Sequence, residues 1–122
     1  MKLSRIILFG NNIEALKGFY QSIFNFPVVE EIEGEWLVFD AGGMEIAFHR
    51  IGEPYRNEEP FRVESNTKLV FSIDDDLVSF RKRLVEKSVK MKDVKSFDGI
   101  DFIFCDGEDV EGNIFQLSQK KA

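Results

Sequence analysis

The chain has 122 residues, enough for one domain with a core of its own and no need of disulfide staples. Hydrophobic residues make up 43% and charged residues 31%, the mix of a globular domain in water, and no apolar run reaches signal or membrane length. The net charge of −6 argues against nucleic acid, whose partners carry a basic footprint.

A single cysteine, Cys105, excludes an internal disulfide, and a cytoplasmic protein is the expectation. Thirteen Phe against one Trp and two Tyr point to a core or pocket lined with plain aromatic rings.

The first strand is expected over Leu3 to Phe9, nearly continuous in apolar character and so buried on both faces. Gly10-Asn11-Asn12 breaks it. Asn11 is placed to cap a helix, with Glu14 at the capping-box position. The helix runs to about Phe24, with Ile13, Leu16, Tyr20 and Ile23 on one face, and Pro27 prevents its continuation. Three strands follow, over Val28 to Ile32, Glu35 to Ala41 and Met44 to Ile51. Gly42-Gly43 is the hairpin signal between the last two.

Gly52 to Asn66 is polar, contains Pro54 and Pro60, and has no clean period. It reads as a linker, and long loops of this kind also cover sites. The earlier order then repeats: a strand over Thr67 to Ile73, and a helix capped by Asp74 or Asp75 and running to about Lys87. Strands over Val89 to Val94, Gly99 to Cys105 and Ile114 to Ser118 complete it. The acids Asp74-Asp75-Asp76 suit a helix start better than a metal loop. The halves share element order rather than sequence.

The closing stretch Asp109-Val110-Glu111-Gly112-Asn113 reads as a turn feeding the last strand. In that strand Phe115 and Leu117 face one way and Gln116 the other. This stretch resembles the closing motif of the vicinal oxygen chelate superfamily, which includes glyoxalase I, the bleomycin-resistance proteins and the extradiol dioxygenases. Phe19-Tyr20 resembles the aromatic pair that these families carry in their first helix. Val110 stands where that motif has Pro, and Gln116 where it has its last Glu.

The resemblance covers essentially the whole chain. It implies an α+β fold of two βαβββ units forming an incomplete barrel around one cleft, helices outside. Unit one would span about 1–52, the linker 53–66 and unit two about 67–119, within one domain over 1–122. Metal-dependent members hold a divalent ion with His or Gln from the first strand of each unit and Glu from the last. Carried over residue by residue, those places fall at Arg5, Glu45, Lys68 and Gln116. Arginine has no lone pair to give, and a lysine ammonium has none either. The set therefore implies no metal cofactor, and a buried Glu45 paired with Arg5, Lys68 or both.

His49 shares strand parity with Glu45. It is either a general acid or base at the cleft mouth or a polar strand-end residue. Phe102 and Phe104 share parity and line either a pocket or the core. Cys105 has no activating neighbour in sequence and is expected inert.

Three functions follow from the resemblance. One is a small-molecule-binding protein with a degenerate metal site, its ligand held by Arg5, Glu45, His49, Lys68, Phe102 and Gln116, in a homodimer whose cleft a second copy completes. The second is a metal-dependent lyase, isomerase or dioxygenase, favoured by Glu45 alone. The third is a degenerate structural or partner-binding copy. No nucleic-acid or membrane partner is expected.

Overall fold

Alternating apolar residues on short strands, each set followed or preceded by one amphipathic helix, produce two open mixed sheets with a helix on one face of each. The computed structural model describes residues 1–56, 62–64 and 66–122. The elements are β1 (Arg5–Gly10), α1 (Ile13–Phe24), β2 (Val28–Ile32), β3 (Trp36–Asp40) and β4 (Glu45–Arg50), then β5 (Lys68–Ser72), α2 (Leu77–Glu86), β6 (Lys90–Met91), β7 (Lys95–Ser96), β8 (Phe102–Glu108) and β9 (Ile114–Lys120). They divide into two units, Met1–Phe61 and Arg62–Ala122.

In unit one the strand order is β1-β4-β3-β2, with β1 parallel to β4 and the other pairs antiparallel. Leu37 and Phe39 of β3 and Ile46 and Phe48 of β4 are buried on the side of α1, with Ile13, Leu16, Phe19 and Tyr20. Tyr20 is the hub: its ring lies 5.1 Å from Phe48 and 5.8 Å from Phe39. Full burial of one such side chain is worth roughly 1.5–3 kcal/mol.

Helix α1 is capped by Asn12 rather than Asn11. The Asn12 side chain accepts from the Ala15 amide at 3.0 Å. Glu14 then falls in the first turn, where an acid suits the helix dipole, and not at the capping-box place. Asn25, in the left-handed region at φ 56°, ends the helix ahead of Pro27. Strand β1 is not buried on both faces. It is an edge strand, and Ile7 and Phe9, on the face away from α1, are 47% and 59% exposed.

A single 3-10 turn at Glu53–Tyr55 opens the segment expected to be a linker. The expectation that residues 52–66 cover a site falls in part on 57–61 and 65, which lie outside the described residues.

In unit two the order is β5-β9-β8-β6, with β7 also paired to β8 and β5 parallel to β9. Leu69, Cys105, Phe115 and Leu117 are buried together with Leu77 and Leu84 of α2. The α2 cap is Asp76, one or two residues later than expected, accepting from the Ser79 amide at 3.0 Å and its hydroxyl at 2.7 Å. Of the expected strand over 89–94 only the two-residue β6 forms, the short β7 lies just beyond it, and β8 begins at Phe102 rather than Gly99 and continues past Cys105 to Glu108.

The Asp109–Asn113 turn is built on one buried carboxylate. Asp109 accepts from the amides of Glu111 and Asn113 at 2.9 and 3.0 Å and from the Asn113 side chain at 2.8 Å. Gly112 sits at φ 84°, which a side chain would oppose. Among the described residues no helix is long and apolar enough to cross a membrane.

Candidate ligand-binding site

Each sheet turns one face to its helix and carries polar residues on the other. In unit one the parallel register sets Arg5 opposite Glu45. The Arg5 Nε donates to Glu45 Oε1 at 2.9 Å, and Nη2 lies 2.8 Å from the same oxygen. The side chain runs on across the sheet: Nη2 is 3.6 Å from Glu30 on β2, and the guanidinium carbon is 5.5 Å from the centre of the Trp36 ring on β3. The expected Arg5 pairing is present. The expected burial is not, since the two side chains are 34% and 38% exposed.

His49 lies on the same face, two residue pairs along. Its ring meets Phe9 edge-on at 5.8 Å and Trp36 edge-on at 5.8 Å. Register places it there, opposite Phe9 on β1 and opposite Trp36 on β3. No described acid or base is hydrogen-bonded to the imidazole, so the general acid–base reading lacks an orienting partner.

Unit two repeats the theme with different residues. Lys68, expected as a partner for Glu45, has its Nζ 2.8 Å from Asp106 on β8, reaching across β9. Gln116 stands opposite Asp106 and donates its amide Nε2 to the other carboxylate oxygen at 3.0 Å. Burial pushes the Asp106 carboxyl upward, but the hydrogen bonds from Lys68 and Gln116 and the Lys68 charge outweigh it and hold the group below its ordinary value.

Asp106 is the residue that sequence reading missed. The expected strand ends at Cys105, one residue short of Asp106, whereas β8 runs on to Glu108. The usable signal was parity: Phe102, Phe104 and Asp106 alternate onto one face, with Gln116 and Ser118 beside them.

Phe102 lies further along that face and stacks on Phe104 at 6.4 Å, away from the Lys68–Asp106 pair. Cys105 is on the opposite face, buried, with its thiol donating to the Lys92 carbonyl at 3.1 Å, and burial pushes it up from the usual thiol range.

The donor set does not fit a divalent ion. At one pair of family positions Glu45 already holds a guanidinium. At the other, Lys68 brings a second fixed cation, and the Gln116 NH2 is engaged by Asp106. Within each unit the fixed cation repels a divalent ion from its own pair. Among the described residues, no group of three or more His, Cys, Asp or Glu side chains is placed to hold a metal ion.

Known structures share this architecture at low sequence identity. Lactoylglutathione lyase from Agrobacterium tumefaciens superposes with a TM-score of 0.78 at 15% identity, covering 97% of this chain and 92% of that one. The genomically encoded fosfomycin resistance protein FosX from Listeria monocytogenes gives 0.78 at 17%, covering 99% and 94%. An integron cassette protein from the mobile metagenome of Halifax Harbour sewage outfall gives 0.77 at 13%, covering 97% of each chain. No curated protein matches the chain. At these identities the likeness shows the fold alone. The family model for the Glyoxalase/Bleomycin resistance protein/Dioxygenase superfamily matches residues 2–121, and the chain belongs to that superfamily.

Proposed function

We propose that this protein binds a small molecule without a metal, using the polar sheet faces where metal-dependent members of the superfamily hold their ion. One observation carries the reading: the cation at each first-strand family position meets a carboxylate, Arg5 with Glu45 at the other family position of its unit and Lys68 with Asp106 beside Gln116, each at 2.8 Å. These pairs satisfy the charges that an ion would otherwise balance, and they leave side chains part-open to solvent and able to meet a ligand. Arg5, Glu45, His49, Lys68 and Gln116 are the contact residues in this reading, with Phe102 at its edge.

Homodimeric assembly belongs to the same proposal, supported by Ile7 and Phe9 on the open face of edge strand β1. So does a cytoplasmic location, supported by a lone cysteine held as a buried thiol.

The test is a thermal-shift screen of small molecules run with and without EDTA. Stabilising ligands whose effect survives the chelator, and shrinks in Arg5→Met or Lys68→Met, are the expected result. A ligand response that vanishes with EDTA would refute the proposal and favour a metal-dependent enzyme.

A further inference from the structure

The end of the unit-two sheet carries a half-open hollow of about 370 Å³, lined by Lys68, Lys90, Lys92, Asp106, Glu108 and Ile114, with Met91 and Gly107 at the strand backbone between them. Its size is at the lower end of small-molecule pockets. Its charges do not cancel. Asp106 is matched by Lys68 at 2.8 Å, and Glu108 by Arg62 at 2.9 Å. Lys90 and Lys92 remain, with no ion pair or side-chain hydrogen bond among the described residues.

Strand geometry puts these two ammonium groups on one side. Lys90 stands opposite Glu108, and the Lys92 amide donates to the Asp106 carbonyl, so both alternate onto the face that bears the carboxylates. Lys95 adds its field, acting on Asp106. A chain of net charge −6 thus concentrates unmatched positive charge around one small apolar floor. Such a concave cationic site attracts anions from solution and orients them, while the floor selects for an apolar body.

We propose that this hollow binds a small organic anion, its charged group between Lys90 and Lys92 and its apolar body against Ile114. The inference rests on the metal-free binding reading and gives it a ligand class.

The test is amide chemical-shift titration, in EDTA, with phenylacetate, 4-methylvalerate and octanoate, against neutral phenylacetamide and inorganic phosphate. Expected is binding of at least one carboxylate, with shifts centred on residues 90–92, 106–108 and 114. Phenylacetamide and phosphate should each bind about tenfold more weakly or worse, since charge-assisted bonds and apolar burial each contribute on that scale. Lys90→Gln with Lys92→Gln, at two exposed positions, should weaken the carboxylate about tenfold without changing the fold. The inference is overturned if no carboxylate binds at millimolar concentration, if the amide or phosphate binds as well, if the double variant binds unchanged, or if the shifts lie elsewhere. Repeated with zinc or manganese in place of EDTA, carboxylate binding seen only with the metal would instead bring down the metal-free reading itself.

Discussion

Glu45 holds a guanidinium at 2.8 Å while more than a third of its side chain stays open to water. Ion pairs in that setting contribute about 0.2–1 kcal/mol, because solvent screens them and ordering two side chains opposes them. Glu45→Gln is therefore predicted to lower stability by no more than about 1 kcal/mol in urea unfolding. A loss of several kcal/mol would mean that the pair is buried.

Asp106 gives a pH signature. Its carboxyl is held below the ordinary value of 3.8, so the unfolded chain takes up that proton first as pH falls. The stabilisation is present above 3.8 and is lost as pH drops through the lower folded value. Lys68→Met is predicted to move the Asp106 titration upward in carboxyl-carbon NMR, and an unchanged titration would remove Lys68 from the account. Arg5 and Glu45 were legible from sequence because the family spacing places them on paired strands. Asp106 was not, because the expected strand stops one residue short of it, and only the pairing with β9 shows that β8 runs on.

At the scale of elements, β8 depends on a missing side chain. A Cβ on Gly107 would collide with the Met91 sulfur and come within 2.5 Å of the Phe115 ring. Met91 can swing aside, but Phe115 is buried and fixed by its neighbours. Gly107→Ala is predicted to cost about 1–3 kcal/mol of stability in denaturant unfolding, as overpacking does. Asp109→Ala removes the acceptor for the Glu111 and Asn113 amides and the Asn113 side chain in a buried turn. A loss on the order of 3 kcal/mol is predicted by thermal unfolding, and a loss well under 1 would show that water replaces the carboxylate.

Both helices were readable from their periodicity, yet both caps came later than expected, at Asn12 and Asp76. Runs such as Asn11-Asn12 and Asp74-Asp75-Asp76 offer several equivalent caps, and the sheet that the helix packs on selects among them. The exposure of Ile7 and Phe9 was hidden for a related reason. An apolar strand reads as central, and only the strand order shows β1 to be an edge.

For the whole molecule, the closing motif at Asp109–Ser118 and the Phe19-Tyr20 pair carried the resemblance to the superfamily, and the twice-repeated order of strand, helix and three strands agreed with it. The proposed ligand class stayed out of reach, because it rests on Lys90 and Lys92 lacking an ion pair among the described residues, which only the strand register shows. Light scattering at micromolar concentration is predicted to show a dimer, with Phe9→Lys shifting it toward monomer; a monomer in the unmodified protein would contradict the assembly. The central claim, that cation–carboxylate pairs stand where the superfamily's metal stands, is tested most directly by calorimetric titration of the purified, chelator-stripped protein with zinc, nickel and manganese. No saturable binding and no change in melting temperature are expected with any of the ions. Stoichiometric uptake of one ion, abolished by Glu45→Gln, would contradict it.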